Sequence, residues 1–214
     1  MGKWPFILAL SSLSGCVTGL PETGMAGHYS LAEGPDVAGE LILTPDHRFS
    51  YALAAGALDE RSQGRWEQDG PAACLFTDPR PVAPVFSRNV IAGKENEPRS
   101  LLVTWPGGEG IAGIDFRIGF RDGSVIDGYT QHDGWSMPSD DPRQAGGIEL
   151  AVPMHSLQSP RFPLEEPDSG PWLFVLTPND LGTVDFQHAC ITREGNGFAL
   201  ERDGGKMRFL RMQP

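Results

Sequence analysis

The chain has 214 residues and a formal net charge of −11. This acidic balance argues against electrostatic binding to nucleic acid and against a polybasic contact with an anionic membrane. The 27 glycines and 19 prolines make up about a fifth of the residues, compared with a usual share of roughly 12%. That excess argues against a helical bundle and predicts short strands joined by turns.

The beginning of the chain has the pattern of an export signal. Lys3 precedes an apolar run of about ten residues, which is half of the roughly 20 that a membrane-spanning helix requires. The run is followed by small residues and ends in Leu13-Ser14-Gly15-Cys16. This tetrapeptide resembles the lipobox of bacterial envelope lipoproteins.

The resemblance implies a lipid anchor. Residues 1–15 would be removed as a signal peptide, Cys16 would carry the lipid, with palmitate among its acyl chains, and residues 16–26 would form a tether. Acyl chains anchor stably because burial contributes about 0.8 kcal/mol per CH₂ group. In this family an aspartate after the cysteine favours the inner membrane, so Val17 implies the periplasmic face of the outer membrane. An ordinary secretory signal with an incidental cysteine, or a misassigned start codon without export, are the open alternatives.

The segment after the tether alternates apolar and polar residues, as strands with one buried face do. Five apolar positions on the two sides of a polar turn carry this alternation: Leu41, Leu43, Phe49, Tyr51 and Leu53. The pattern predicts a hairpin. The best helix candidate, residues 57–62, is short and flanked by glycines, which disfavour a helix.

A proline-rich connector separates two predicted β domains. Proline cannot donate to a strand ladder, and residues 78–100 contain four prolines. We therefore predict an all-β protein in which an antiparallel β-meander or small barrel at 27–95 is followed by a β-sandwich of immunoglobulin-like or prealbumin-like type at 96–214. In the second half, turn signals recur about every eight to twelve residues, the spacing expected of a sandwich.

An unbroken apolar run predicts the central strand of the sandwich. Residues 172–176 read Trp-Leu-Phe-Val-Leu, which is typical of a strand buried on both faces. One face is expected to pack against alternate residues of another predicted strand: Ile114, Phe116, Ile118 and Phe120.

Two short resemblances support this architecture. The first is carried by the string Gly27-x-Tyr29, Leu41-x-Leu43, Asp46, Phe49-x-Tyr51 and Gly64-x-Trp66. It resembles the β-meander modules of uncharacterised bacterial envelope lipoproteins, some of them lipocalin-like, which usually have glycine where this chain has His47.

The second resemblance is carried by Asp122-Gly123, Gly128-Tyr129-Thr130 and Asp133-Gly134-Trp135. It resembles carboxypeptidase-regulatory-like, transthyretin-like sandwich domains, which implies a structural or interaction role and no active site.

Two cysteines follow Cys16. Export permits disulfides, so Cys74 and Cys190 are a candidate pair that would join the two halves of the chain. Each is flanked by apolar residues, which also fits two separate buried thiols. The sequence leaves both interpretations open.

Motifs for catalysis and metal binding are missing from the sequence. It contains no Gly-x-Ser-x-Gly elbow, His-Glu-x-x-His pair, Cys-x-x-Cys pair or glycine-rich phosphate loop. The histidines are all more than five positions apart, so they show no zinc-ligand spacing. We therefore expect no enzyme activity, no metal and no cofactor.

Trp105 and Trp135 are the candidates for a recognition surface. Both flank predicted turns, where an exposed ring can stack on a glycan or another apolar ligand. The alternative is a role in the sandwich core, where large aromatic side chains are common.

These features predict a non-enzymatic, lipid-anchored envelope protein with a structural or interaction role. Its expected partners are the membrane, through the lipid, and an envelope protein, but not nucleic acid. The alternative is a binder of a small apolar ligand or glycan through the first β domain. A hydrolase is the least favoured interpretation.

Replacing Cys16 tests the anchor. Cys16→Ser removes the thiol that would accept the lipid, so we expect the protein to leave the membrane fraction. Fractionation with immunoblotting measures the change, and Ser11→Ala is the control that keeps the lipobox intact. A Cys16→Ser protein that stays firmly in the membrane fraction contradicts the lipobox interpretation.

Overall fold

The computed structural model describes residues 24–32, 34–89, 99–164 and 171–213. Cys16, the predicted signal peptide and most of the predicted tether lie outside these ranges. Among the described residues the one helical element is a 3-10 turn at Pro153–His155, and the rest of the regular structure is strand. The all-β prediction is confirmed. Within the same ranges, no helix has the length and apolar character needed to cross a membrane.

The described residues form seventeen strands, numbered in chain order. Their bounds are β1 Gly27–Leu31, β2 Val37–Leu43, β3 Arg48–Ala55, β4 Leu58–Asp69, β5 Ala72–Thr77, β6 Val85–Asn89, β7 Ser100–Thr104, β8 Asp115–Phe120, β9 Val125–Tyr129, β10 Trp135–Ser136, β11 Ala145–Val152, β12 Leu157–Gln158, β13 Phe162–Pro163, β14 Trp172–Thr177, β15 Gln187–Glu194, β16 Gly197–Arg202 and β17 Gly205–Arg211.

Eight of these strands close into an antiparallel barrel in the order β1-β17-β16-β15-β5-β4-β3-β2. Alternate side chains point inwards and form one core cluster, whose largest members are Tyr29, Phe49, Tyr51, Trp66, Phe186, Phe198 and Phe209. Several rings meet edge to face, including those of Tyr51 and Phe186, whose centroids lie 5.2 Å apart. The barrel interior is therefore a packed core of aromatic and aliphatic side chains.

A two-sheet sandwich lies between β5 and β15 in the chain. One sheet has the order β10-β7-β14-β6, and the other has the order β12-β11-β8-β9 with β13 also paired to β11. Apolar residues of both sheets form a second core cluster, centred on Trp172, Phe174, Leu176, Phe116, Ile118 and Phe120. The predicted combination of a barrel and a sandwich is confirmed.

The chain is not divided at residue 95 as predicted. Strands β15 to β17, expected in the second domain, pair into the barrel, whereas β6, expected in the first, pairs with β14 of the sandwich. The ranges 27–95 and 96–214 are therefore corrected: the barrel consists of 27–77 and 187–211, and the sandwich of 85–177. Alternation shows which face of a strand is buried, but it carries no information on which strands pair.

Two local predictions also differ from the structure. Residues 57–62, the best helix candidate, belong to the turn and strand that begin β4, because Gly56 adopts a φ of 60° and turns the chain back along β3. β14 was expected to be buried on both faces. Leu173 and Val175 are only half-buried, since they lie on the outer face of the sandwich.

Candidate functional site

The strand register distinguishes the two ends of the barrel. At one end β1 begins and β17 finishes, and Arg211 donates hydrogen bonds to the carbonyls of Gly24 and Ala26. At the opposite end β3 finishes, β4 begins and β16 turns into β17. We call this second end, with Leu58, Glu60 and Arg202, the barrel mouth.

Inward-facing positions become charged as two strands approach the mouth. Along β16, Phe198 and Leu200 face the core, and Arg202 is the next residue on that face. Along β4, the inward positions run from Trp66 to Glu60 in steps of two. The adjacent acids Asp59 and Glu60 suggest a solvated turn in an acidic surface, but Glu60 faces inwards and pairs with Arg202. This pairing depends on barrel closure and cannot be predicted from period-two spacing.

Glu60 and Arg202 form an ion pair at the mouth. Arg202 Nη2 donates to Glu60 Oε1 at 2.7 Å and to Oε2 at 2.6 Å. The Glu60 side chain is 14% exposed and that of Arg202 is 22% exposed. The hydroxyl of Tyr51, a core residue, donates to Glu60 Oε2 at 3.3 Å. Asp203 accepts a further bond from Arg202 Nε at 2.7 Å, while Arg202 Nη1 is buried without a partner among the described residues.

Two side chains at the mouth, Tyr51 and Arg202, have shifted pKa values. Burial raises the pKa of the Tyr51 hydroxyl well above its usual value, so the phenol stays neutral. Burial opposes the charged form of Arg202, but hydrogen bonds to Glu60 and Asp203 and the nearby negative charge outweigh it and raise the pKa of Arg202. Neither group titrates near neutral pH. Neither Tyr51 nor Arg202 is therefore well suited to general acid–base catalysis.

A cavity of about 470 Å³ lies over the mouth, between the barrel and the sandwich. Its barrel side includes Leu58, Glu60, Arg202 and Asp203, and its sandwich side is formed by residues 154–157. Residues 83–84 and 180–184, from the two connectors, complete the lining. The volume lies in the range of about 300–1,000 Å³ found for small-molecule sites, which often occur at barrel mouths and between domains.

Paired connectors hold the wall of this cavity in place. Val82 N donates to Asp180 Oδ2 at 2.8 Å, and Asp180 N donates to the Val82 carbonyl at 3.1 Å. The second connector is also bonded to the barrel, because Arg61 N donates to the Gly182 carbonyl and Val184 N donates to the Arg61 carbonyl, each at 2.9 Å. Hydrogen bonds to the connector backbone therefore hold this wall of the cavity in place.

A second cavity of about 400 Å³ lies on the barrel side of the same connector. Two of its hydroxyl groups bond each other, Ser62 Oγ and Thr77 Oγ1 at 2.8 Å. Thr77 Oγ1 also donates to the Val184 carbonyl at 3.0 Å. Since these polar groups already anchor the connector, the cavity over the mouth is the better candidate for ligand binding.

The predicted recognition residues lie in the sandwich. Trp105 and Trp135 are both half-buried against its core, and the Trp135 ring lies 5.0 Å from that of Phe116. Trp135 lies opposite Leu101 on the neighbouring strand. Trp105 comes four residues after Leu101, which places it roughly 13 Å from that point at about 3.3 Å per residue. That separation exceeds the roughly 4.5–7 Å between contacting rings. A recognition surface at these residues stays a prediction.

Cys74 and Cys190 lie opposite each other on β5 and β15, and their sulfurs are bonded. Cys74 is buried, whereas Cys190 is exposed on the outer face of the barrel. His188 Nε2 lies 3.8 Å from the sulfur of Cys190. These three residues are a group whose potential metal-ligand atoms lie within 4.8 Å of one another. Sequence spacing missed it because Cys74 is brought to the other two only by strand pairing.

The chain matches no protein-family model, no curated protein and no solved structure. Its function is therefore inferred from its own geometry.

Neutralising Glu60 tests whether the mouth pair stabilises the barrel. Glu60→Gln leaves the buried part of Arg202 without its main counter-charge, so we expect the free energy of unfolding to fall by about 1–3 kcal/mol. Glu67→Gln is the matched control, since Glu67 lies on the same strand and pairs with Arg65 but its side chain is 60% exposed. Denaturant unfolding measures both. Equal small losses would show that the mouth pair is as weak as a surface pair.

Proposed function

We propose that the protein is a lipid-anchored protein of the bacterial envelope that acts by binding, with the barrel mouth as its binding site. The lipobox-like sequence ending in Cys16 supports the anchor, on the periplasmic face of the outer membrane. The first described residues, 24–26, lie at the barrel end opposite the mouth. A tether that leaves from that end keeps the anchor away from the mouth.

The cavity over the mouth is the observation that carries this proposal. Its lining combines apolar side chains, such as Leu58, Met154 and Leu181, with polar and charged ones, four of which are held by hydrogen bonds: Glu60, Asp180, Arg202 and Asp203. Small-molecule sites have this composition, in which apolar area supplies affinity and a few polar groups orient the ligand. The barrel interior below the mouth is filled by side chains, so the ligand would bind over the barrel and not inside it.

The charges around the cavity select against anions. Glu60, Asp180 and Asp203 contribute three carboxylates against the one guanidinium of Arg202. The whole chain also carries a net charge of −11, so an anionic ligand would be repelled during its approach as well as at the site. We therefore propose a small, uncharged ligand that is largely apolar.

Filling the cavity with a larger side chain tests the site. Nile red is uncharged and fluoresces more strongly in apolar surroundings, and we expect saturable binding by the wild-type protein. Met154 lines the cavity and is 49% exposed, so Met154→Trp should fill part of it and weaken binding at least about tenfold, or about 1.4 kcal/mol. The anionic dye ANS should bind more weakly than Nile red.

Met212→Trp is the matched control. Met212 is also 49% exposed, but it lies at the opposite end of the barrel, where its N–H donates to the His28 carbonyl. The control should bind Nile red like the wild type. Equal binding by the Met154→Trp and Met212→Trp proteins would show that the dye does not occupy the mouth, and the proposed site would be wrong.

The outer edge of β9, which pairs with no other strand in the part of the chain that the structure describes, favours a second candidate function, docking of an envelope protein. Thr130 N donates to the Ile114 carbonyl, so by antiparallel alternation the N–H groups of Val125, Asp127 and Tyr129 point away from β8. Val125 is 53% exposed and Tyr129 is 62% exposed. An exposed edge of this kind can accept a strand from a partner.

A proline on this edge tests the docking candidate. Val125→Pro removes an outward N–H group and leaves the bonds to β8 in place, whereas the control Val125→Ala keeps the N–H group. We expect an envelope protein to co-purify with the lipidated wild type and the Val125→Ala protein, but not with the Val125→Pro protein. Recovery that is the same for all three excludes docking along β9.

A further inference from the structure

We infer that Cys74, His188 and Cys190 form a redox-gated site for a thiophilic metal ion such as Zn²⁺ on the outer face of the barrel. While the two sulfurs are bonded to each other, neither is a thiolate that can bind a metal ion. Reduction of the disulfide supplies the two thiolates and so forms the site. It makes no use of the barrel mouth, so it stands independently of the proposed binding function.

The ligand set suits such an ion. Two thiolates and one imidazole are ligands that zinc takes in proteins, with Zn–S bonds of about 2.3 Å and Zn–N bonds of about 2.0–2.1 Å. At a tetrahedral angle these lengths give an S···N separation of roughly 3.6 Å. The observed separation between Cys190 Sγ and His188 Nε2 is 3.8 Å. The sulfur and nitrogen atoms are therefore already close to the separation that a tetrahedral zinc ion requires.

The backbone at His188 presents the imidazole to the cysteines. The register of β15 against β5 shifts between Gln187 and Ala189, so His188 is the extra residue of a β-bulge. Its φ is 64°, in the left-handed region that is uncommon for residues other than glycine. The ring also contacts that of Phe76, with centroids 5.4 Å apart. Bulges often redirect a side chain next to functional sites, and left-handed residues concentrate at such sites.

Solvent can reach the site from one side. His188 and Cys190 are exposed and Cys74 is buried behind them. An ion can therefore enter from the outside, bind the three side chains and keep water at a fourth position. Two thiolates neutralise the charge of a divalent ion.

Reduction of the Cys74–Cys190 disulfide allows the site to bind a metal ion. A dithiol reductant transfers two electrons and two protons to the Cys74–Cys190 disulfide and is itself oxidised to a disulfide. The metal ion then displaces the two thiol protons and binds the thiolates and the neutral imidazole. A disulfide oxidant reverses the sequence, because re-forming the S–S bond removes both thiolates and releases the ion.

Metal titration of the whole protein tests the inference. After reduction with a phosphine and removal of the reductant under anaerobic conditions, we expect one Zn²⁺ per chain by competition with a chromophoric chelator. Co²⁺ should give thiolate-to-metal charge-transfer absorption. The oxidised protein and the Cys74→Ser/Cys190→Ser protein should bind neither ion at this site.

His188→Asn separates a built site from non-specific chelation. Asparagine tolerates the left-handed backbone but removes the imidazole, so affinity should fall by more than the roughly 10–100-fold typical for loss of a group that only supports a ligand. The control is His47→Asn, since His47 has a similar φ of 63° on another turn. Chelation by an unfolded reduced chain would weaken to the same extent in both variants. Equal affinities of the two variants, or no binding by the reduced wild type, overturns the inference.

Discussion

The N-terminal and C-terminal strands of the barrel pair antiparallel, with Tyr29 opposite Arg211, and the rest of the structure depends on this seam. A closed barrel has no unpaired edge, so β1 and β17 protect each other's backbone groups. Side chains reinforce the seam: Tyr29 donates to the Met25 carbonyl at 2.6 Å, and the Arg211 guanidinium lies over the Tyr29 ring. Because β1 and β17 close the barrel, the sandwich lies within the segment between β5 and β15.

Those two strands are neighbours in the barrel, and their position explains the cleft. The chain leaves after Thr77 and returns at Phe186, and the two residues remain bonded, with Thr77 N donating to the Phe186 carbonyl at 2.8 Å. The connectors must therefore run side by side towards the sandwich, along the barrel wall beside the mouth. A cavity between the two β units follows from this path, and its walls are connector backbone and the turn at 154–157.

Polar groups in this structure are placed where pairing can offset burial. Burial acts against the charge on Arg202, yet two bonds to Glu60 and one to Asp203 keep the guanidinium charged at the end of an aromatic core. An unpaired charge at that depth would cost several kcal/mol. The Cys74–Cys190 pair lies on the outer face, where His188 can approach without entering the core.

The sequence by itself determined most of the turns, although one of its five Asp-Gly dipeptides, Asp127-Gly128, lies within strand β9. The four Asp-Gly turns, at 69–70, 122–123, 133–134 and 203–204, each have a glycine with positive φ, as the turn residues require. Alternation correctly identified Leu41, Phe49 and Phe116 as core residues, and the unbroken apolar run at 172–176 correctly identified Phe174. His47 adopts a left-handed backbone with a φ of 63° and stacks on Trp66 with ring centroids 4.5 Å apart.

The sequence predicted the hairpin of β2 and β3, but only the tertiary structure decided which distant strands pair. Residues 187–211 alternate in the same way whether they close a barrel or extend a sandwich, because period-two spacing reports burial of one face and not the neighbour in the ladder. For the same reason the sequence could not join Glu60 to Arg202 across 142 positions, or bring His188 and Cys190 to Cys74. Turns depend on neighbouring residues and can therefore be predicted from the sequence. These two sites depend on contacts between distant strands, and such contacts leave no periodic pattern in the sequence.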